Sequence, residues 1–378
     1  MAEQRILFIN QSSGYLMIDI IRAFEGKFEQ RALAAGFINP RNNPLPDTVK
    51  IERIITYDRS STLRRLWTWL VGFVQIWWLV MTRYRDAHLF IVSNPPFATL
   101  LPRLCKNSFS LLIYDVYPDA LVEYKVLKKD SFVIRFWNKA NQRIYPAAKA
   151  IFTLSEGMKS RIAQYVEPER ISVVPVWTDN DFLRPIPKVE NVFRQEQGLQ
   201  DHFLLMYSGN LGKSHELSVL VDLAKALQED GVFVLIIGGG DQYESLNTRI
   251  SSSGLSNIRL LPWQPMEALP QTLAAADLGV VSLGREAALL SMPSKTFNLM
   301  SVGVPIMAIA DPRAALAKLI EKYQMGDHFE PHQVEEMVAF VRKLASSKSE
   351  QERLQRHAIE ASRDFGPDNA LRFIEPYL

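Results

Sequence analysis

Short apolar runs alternate along the chain with segments in which apolar positions recur at helical spacing. Because strands and helices alternate in this way, the pattern predicts parallel, doubly wound α/β sheets, whose ligands bind beyond the carboxyl ends of the strands. The predicted strands of the first half are Arg5–Asn10, Val49–Thr56, His88–Ser93, Ser110–Tyr114, Ala150–Leu154 and Ile171–Pro175. Those of the second half begin at Leu204, Val232, Ile258 and Ile306, and the segment Ile258–Gly284 predicts a strand, a loop, a helix and a further strand.

Two glycine-rich turns follow strands in the second half. The first is SGNLG at 208–212, and the second is GGGD at 238–241. Glycine lets a diphosphate approach the backbone closely, and Lys213 or His215 would add positive charge. The expected binding residues of these turns are Ser208, Gly209, Asn210, Lys213, Gly239 and Gly240.

The segment SMPSKTFNLMSVGVPIMA, 291–308, predicts an anion site at the start of a helix. Lys295 lies near the helix start, where free backbone N–H groups and the positive end of the helix dipole converge. Ser294 can cap the helix or donate a hydrogen bond. Gly303 then predicts the helix end, and Pro305 prevents its continuation into the strand that follows.

In the first half, the loop Gln11–Tyr15 follows the first strand without the Gly-x-Gly-x-x-Gly fingerprint of a dinucleotide site. Gly14 permits close approach of a sugar or acceptor, or only a tight turn. Asp115 ends a strand and is therefore a candidate base or contact for an acceptor hydroxyl. The Asp-Asn-Asp sequence at 179–181 has the composition of a turn, and no metal site is expected there.

The order of YSGNLG, IIGGGD, LPWQPMEALPQTLAAADLGVVSL and PSKTFNLMSVGVPIMA resembles the nucleotide-sugar half of glycosyltransferase family 4. Upstream, IYDVYPDALVEY and AKAIFTLSEGMKSRI are similar to the acceptor domain of the bacterial branch that builds O-antigen, capsule and exopolysaccharide. The resemblance covers nearly the full chain. It implies the α/β GT-B fold, two Rossmann-like doubly wound parallel-sheet domains facing across a cleft. The expected acceptor domain is 1–182, completed by a C-terminal helix at 361–378, and the expected donor domain is 183–360.

The resemblance also implies roles for individual residues. The base of the nucleotide would lie against the loop 262–266, where Trp263 offers a stacking face and Gln264 belongs to the site. Many members carry two glutamates where this chain has Leu290 and Asn298. Asn298 can hydrogen-bond a ribose hydroxyl. Either Glu286 or the backbone amides of 287–290 would then hold the sugar.

Charge is uneven, with 24 Lys and Arg against 17 Asp and Glu in residues 1–182. This excess suits an anionic partner such as a lipid diphosphate or membrane surface, or only a solvated face. The single cysteine, Cys105, excludes an internal disulfide, and no signal peptide is recognised at the N-terminus. These features predict a cytoplasmic protein.

The run LWTWLVGFVQIWWLVM, 66–81, is rich in tryptophan and flanked by arginines. It falls short of the roughly 20 residues needed to span a bilayer. Tryptophan favours the headgroup region, so the stretch 64–85 is expected either to contact a membrane peripherally, on the inner face of the plasma membrane, or to be an ordinary core helix.

Together with these observations, the resemblance implies a metal-independent hexosyltransferase without a cofactor or a nucleic-acid partner. It would move glucose or an N-acetylhexosamine from a UDP-sugar to a hydroxyl of a saccharide or lipid-linked saccharide, with retention implied by the resemblance. Lys295, Asp115 and Glu286 are the expected catalytic residues. A degenerate sugar-nucleotide-binding scaffold and a UDP-sugar epimerase remain alternatives, whereas an oxidoreductase would need the missing fingerprint.

Overall fold

The chain divides into two compact units. The first comprises Met1–Pro175 and Asp368–Leu378, and the second is Val176–Pro367. The sequence placed this boundary at 182/183 and the start of the returning segment at 361. The computed structural model describes residues 5–41, 43–58, 60–123, 127–213, 215–284 and 292–378.

The first unit is built on a seven-stranded parallel sheet. The strands of the whole first unit are β1 (Arg5–Ile9), β2 (Ser12–Ser13), β3 (Gln30–Ala35), β4 (Phe37–Ile38), β5 (Val49–Arg53), β6 (His88–Val92), β7 (Phe109–Ile113), β8 (Ile151–Thr153) and β9 (Ile171–Val173). The sheet order is β5-β3-β1-β6-β7-β8-β9, and β2 and β4 form a separate pair. The direction of winding therefore reverses between β1 and β6, where α/β sheets bind ligands.

Helices cover both faces of this sheet. They are α1 (Tyr15–Ala23), α2 (Thr62–Arg83), α3 (Asp119–Glu123), α4 (Phe132–Ile144) and α5 (Glu156–Ile162). Apolar residues of α2, α4 and α5 share one core with alternate strand residues such as Leu89 and Leu111. On the opposite face, Phe90 packs against Phe8 and against Phe373 of the returning segment. No helix in the described ranges has the length and apolar character needed to cross a membrane.

The second unit contains a six-stranded parallel sheet in the order β12-β11-β10-β13-β14-β15. Its winding reverses between β10 and β13. The strands are β10 (Phe203–Ser208), β11 (Val232–Ile237), β12 (Ile258–Leu261), β13 (Leu278–Ser282), β14 (Ile306–Ile309) and β15 (Gly326–Phe329). The helices are α6 (Val192–Gln197), α7 (Val219–Ala226), α8 (Tyr243–Ser253), α9 (Leu269–Ala274), α10 (Ser294–Ser301), α11 (Ala315–Tyr323), α12 (Val334–Ser346) and α13 (Lys348–Ser362).

Helix α10 ends as the sequence predicts. Gly303 has a φ of 70°, in the left-handed region that favours glycine. Its N–H donates to the Met300 carbonyl at 3.0 Å, and the Val304 N–H donates to the Leu299 carbonyl at 2.9 Å. This is the Schellman arrangement, which satisfies carbonyls that the helix end would leave unpaired. The chain then turns directly into β14.

Candidate functional site

Lys295 brings the start of α10 together with the carboxyl end of β10. Its Nζ donates a hydrogen bond to the Tyr207 hydroxyl at 2.7 Å and lies 3.9 Å from the centroid of the Tyr207 ring. Burial lowers the pKa of Lys295 to about 7. A cation in this position is poorly solvated, so an anion bound beside it would gain a strong charge-assisted contact.

A short hydrogen-bonded cluster supports this lysine. The Tyr207 hydroxyl donates to the Asn210 carbonyl at 2.7 Å and lies 2.8 Å from His215 Nδ1. Burial and the nearby Lys295 charge both lower the pKa of His215, and burial raises the pKa of Tyr207. Both side chains are therefore neutral near pH 7, and Tyr207 holds the lysine without neutralising its charge.

Gly209 leaves the space that the Lys295 head occupies. Its φ is 150°, and a Cβ on this residue would lie 2.7 Å from Lys295 Nζ. A side chain would therefore be strained and would collide with the lysine. The Gly209 N–H donates to Ile237 and the Leu211 N–H donates to Gly239, so the predicted glycine turns at 208–212 and 238–241 are joined.

Trp263 packs close to the second glycine turn. A Cβ on Gly239 would lie 2.9 Å from the indole Nε1, although most of the Trp263 surface remains exposed. Gln264 donates to the Pro262 carbonyl at 2.9 Å. The structure thus brings Gly209, Asn210, Gly239, Trp263 and Lys295 into one neighbourhood at the winding reversal of the second sheet. Lys213 is exposed and has no described contact with this group.

The other residues predicted for the donor site have different surroundings from one another. Ser294 is the first residue of α10 and is exposed, while Pro293 takes the cap position without a side-chain cap bond. The Asn298 side chain accepts a hydrogen bond from Thr178 Oγ1 at 2.7 Å. Glu286 and Leu290 lie outside the described residues.

Asp115 and Gly14 belong to the first unit, each near the carboxyl end of a strand. Desolvation by the surrounding protein raises the pKa of the Asp115 carboxyl, although part of the residue remains exposed to solvent. Its N–H donates to Ser93 Oγ at 3.2 Å, next to the end of β6. Gly14 has a φ of −101°, and a Cβ there would meet nothing within 4 Å. Neither the backbone conformation nor crowding therefore requires glycine at this position.

The Asp-Asn-Asp sequence at 179–181 forms a turn. Asp179 Oδ1 accepts hydrogen bonds from the N–H groups of Asp181 and Phe182, at 3.1 and 2.9 Å. This is the behaviour of an Asx turn. Among the residues that the structure describes, no three His, Cys, Asp or Glu side chains are grouped as metal ligands.

Residues 189–361 match the family described as glycosyl transferases group 1. The matched segment lies within the second unit and contains both glycine turns and Lys295. The geometry around Lys295 therefore belongs to the part of the chain that the family match covers.

Two curated relatives carry glycosyltransferase names. WbjE of Pseudomonas aeruginosa, named as a glycosyltransferase, is 23% identical over 223 residues, which are 59% of this chain and 56% of WbjE. WcaI of Escherichia coli K12, named as a colanic acid biosynthesis glycosyl transferase, is 28% identical over 196 residues, which are 51% of this chain and 48% of WcaI. The chain thus spans about half the length of these curated relatives.

Similar solved structures establish the fold. HepE of Anabaena, solved with UDP and glucose, has a TM-score of 0.73 and 17% identity, with 98% of both chains covered. WaaG, a glycosyltransferase involved in lipopolysaccharide biosynthesis, has a TM-score of 0.68 and 14% identity, with 98% of this chain and 99% of that chain covered. The expected GT-B fold, with two parallel-sheet α/β domains, is confirmed.

Sequence reasoning missed the residue that holds the lysine. Tyr207 was recognised only as part of the strand before the first glycine turn. Its position as a polar aromatic at the end of a buried strand was the one available signal, because a buried tyrosine hydroxyl needs a hydrogen-bond partner. Which partner it finds depends on α10, 88 positions further along the chain.

Proposed function

We propose that the chain transfers a hexose from a UDP-sugar to a hydroxyl of a saccharide or lipid-linked saccharide in cell-surface polysaccharide biosynthesis. The observation that carries this proposal is the Lys295 ammonium beside Gly209, at the start of a helix and the end of a strand. The match to the glycosyl transferases group 1 family and the names of WbjE and WcaI support it. HepE has been solved with UDP-glucose, which favours a UDP-sugar as the donor.

The proposed reaction exchanges one bond at the anomeric carbon. The bond from sugar C1 to the β-phosphate oxygen breaks, and the acceptor hydroxyl oxygen forms the new bond to C1. UDP leaves with additional negative charge, which Lys295 and the positive end of the α10 dipole stabilise. Because these groups supply the positive charge, the proposed mechanism uses no metal ion.

The fate of the acceptor proton determines the stereochemistry. In the retaining reaction that we propose, the proton passes to the leaving phosphate oxygen on the same face of the sugar. Asp115 then contacts the acceptor hydroxyl. If the configuration is inverted instead, Asp115 would be the general base, a role that its raised pKa suits.

The rest of the donor has proposed contacts as well. The base would stack on exposed Trp263, and glucose or an N-acetylhexosamine would be held by Glu286 or neighbouring amides. Asn298 would contact the ribose with the hydrogen-bonding capacity that its contact with Thr178 leaves free.

Replacing Lys295 with Ala tests the proposal in an assay of UDP release with a panel of saccharide acceptors. Loss of a hydrogen bond to a charged group costs about 1.5–3 kcal/mol, so kcat/KM should fall about 10- to 150-fold. Lys225→Ala, at an exposed lysine of α7, is the matched control and should behave as the unaltered chain. Turnover should also persist in excess EDTA.

The same assay separates the alternatives. A transferase releases UDP only when an acceptor is present, an epimerase converts the sugar without releasing UDP, and a degenerate scaffold binds UDP without turnover. Normal kinetics in Lys295→Ala would remove the lysine from the mechanism. Full loss of activity in EDTA with recovery by Mg²⁺ would overturn metal independence.

A further inference from the structure

Helix α2 exposes an apolar stripe on the side that faces away from its sheet. The exposed apolar residues recur at spacings of three and four, which places them on one face of a helix. Trp67 and Trp78 are 62% and 64% exposed. Trp77, which the sequence grouped with Trp78, instead packs partly against the core. The members of the stripe are Leu63, Leu66, Trp67, Leu70, Val74 and Trp78.

Helix α4 presents a second exposed apolar group. Phe132 and Phe136 are 74% and 60% exposed, and their ring centroids lie 6.4 Å apart. Val133 beside them is also exposed. Exposing large aromatic side chains to water is energetically unfavourable. An exposed group of this size therefore marks a surface that a membrane or another molecule covers.

The two exposed groups belong to one side of the first unit. Helices α2 and α4 contribute to the same core on the same face of the sheet. Phe97 lies between them, with ring centroids 6.5 Å from Phe73 of α2 and 5.4 Å from Trp137 of α4. The outward faces of both helices therefore point away from the same layer. We call the exposed residues of α2 and α4 together the α2/α4 surface.

Charge distinguishes between the partners that could cover this surface. Helices α2 and α4 together contain no Asp or Glu, and each carries three basic residues. Two of these cations pair with carboxylates outside the helices, Arg64 with Asp58 at 3.6 Å and Arg83 with Glu52 at 3.2 Å, so the three basic residues of α4 carry most of the argument from charge. A second copy docked face to face would place cations against cations, which disfavours a symmetric dimer. Anionic headgroups complement the same cations, while tryptophan and phenylalanine enter the interface below the headgroups. The basic residues are Arg64, Arg65, Arg83, Arg135, Lys139 and Arg143.

We infer that the α2/α4 surface docks on an anionic lipid bilayer, with both helices lying in the plane of the interface. The apolar stripe supplies burial, and the arginines and lysines supply attraction to negatively charged headgroups. This inference extends the expected contact of 64–85 to a second helix and does not require the proposed transfer reaction.

Sedimentation of the full chain with vesicles tests the inference. Vesicles of phosphatidylcholine with phosphatidylglycerol should bind the protein, vesicles of phosphatidylcholine alone should bind less, and high salt should release part of it. The double variants Trp67→Ser/Trp78→Ser and Phe132→Ser/Phe136→Ser should each weaken binding by about tenfold or more, since each removes two exposed aromatic groups. Arg135→Glu/Lys139→Glu should weaken binding to the anionic vesicles selectively.

Leu371→Ser is the matched control, because Leu371 is an exposed apolar residue of the same unit outside this surface. It should bind vesicles as the unaltered chain does. All substituted side chains are exposed, and unchanged thermal midpoints will verify that the variants fold.

Two results would overturn the two-helix surface: the unaltered chain does not bind the vesicles, or the Phe132→Ser/Phe136→Ser variant binds them as well as the unaltered chain does. A concentration-dependent dimer that both aromatic pairs abolish identifies a second copy as the occupant instead. UDP affinity, measured in parallel, reports on the donor site separately.

Discussion

The most informative single residue is Lys295, because its surroundings disfavour its charge. Burial lowers its pKa to about 7, and its described hydrogen-bond acceptor, Tyr207, is neutral. An anion bound next to Nζ stabilises the protonated form and raises this pKa. By linkage, anion binding must then be accompanied by proton uptake whenever the free lysine is partly deprotonated.

The pH dependence of UDP affinity follows from this linkage. Between about pH 7 and 9 most of the free lysine is deprotonated and must take up a proton to bind the anion, so affinity should fall as pH rises, by at most about tenfold per pH unit. Lys295→Arg keeps its charge over this range and should show a much flatter profile. Calorimetric titrations in two buffers with different ionisation enthalpies measure the proton uptake directly. Equal pH slopes for the two proteins would show that Lys295 does not titrate at the site.

The residues around Lys295 were predictable from the sequence, but the contacts among them were not. Local signals identify Gly209 and Lys295, because a glycine after a strand and a lysine at a helix start have recognisable physical uses. The contact of Lys295 with Tyr207 and that of Asn298 with Thr178 join residues far apart in the chain. They depend on how the helices pack, which the local pattern does not specify.

At the scale of elements, a buried carboxylate ties α6 to the sheet of the second unit. Asp277, just before β13, accepts from Arg194 at 2.9 Å and from the Leu204 N–H of β10 at 2.7 Å. Arg194 is 3% exposed and also donates to the carbonyls of Ala275 and Leu199. Removing the carboxylate would leave this arginine buried without its counter-ion.

Asp277→Ala should therefore destabilise the chain by about 3–5 kcal/mol, the usual cost of breaking a buried ion pair on one side. Asp222→Ala provides the matched control, since Asp222 and Arg249 form a 2.7 Å pair in the same unit with both side chains about half exposed. That change should cost about 1 kcal/mol or less. Urea unfolding of the full chain measures both. Similar losses in the two variants would mean that Asp277 has no special structural role.

The elements themselves were largely predictable, although the strands β2, β3, β4 and β15 were not predicted. The predicted strands His88–Ser93 and Ser110–Tyr114 agree to within one residue with β6 and β7, because a continuous run of apolar residues identifies a strand that is buried on both faces. Strand β3, Gln30–Ala35, was missed. Its sequence QRALAA is composed of good helix formers, and the strand forms because it is paired between β1 and β5. Tertiary pairing here overrides local propensity.

At the scale of the whole molecule, the two units differ in how the chain completes them. The second unit is one continuous segment, and its main core is formed by residues between Leu205 and Leu354. The first unit needs residues from both ends of the chain. Phe373 is fully buried, with its ring 4.7 Å from that of Phe152, and the Tyr377 hydroxyl lies 2.9 Å from His88 Nε2. The second unit is thus inserted into the first.

This topology predicts different behaviour for fragments of the chain. The fragment 176–367 should melt cooperatively on its own, because it retains its complete sheet and core. The fragment 1–175 should lose much of its stability, since it lacks the aromatic residues that cover one face of its sheet. Thermal melts followed by circular dichroism measure both.

A joined fragment provides the decisive control. The Thr178 N–H donates to the Phe365 carbonyl at 3.1 Å, so the two ends of the inserted segment lie side by side. A short glycine-serine linker from 175 to 368 should therefore reconnect the first unit without strain and restore its cooperative melt. The same linked fragment carrying Phe373→Ala should again lose stability and its cooperative melt, because truncating a fully buried phenylalanine costs about 3–5 kcal/mol. If 1–175 alone melts as sharply as the linked fragment, the returning segment is dispensable and the first unit is complete without it.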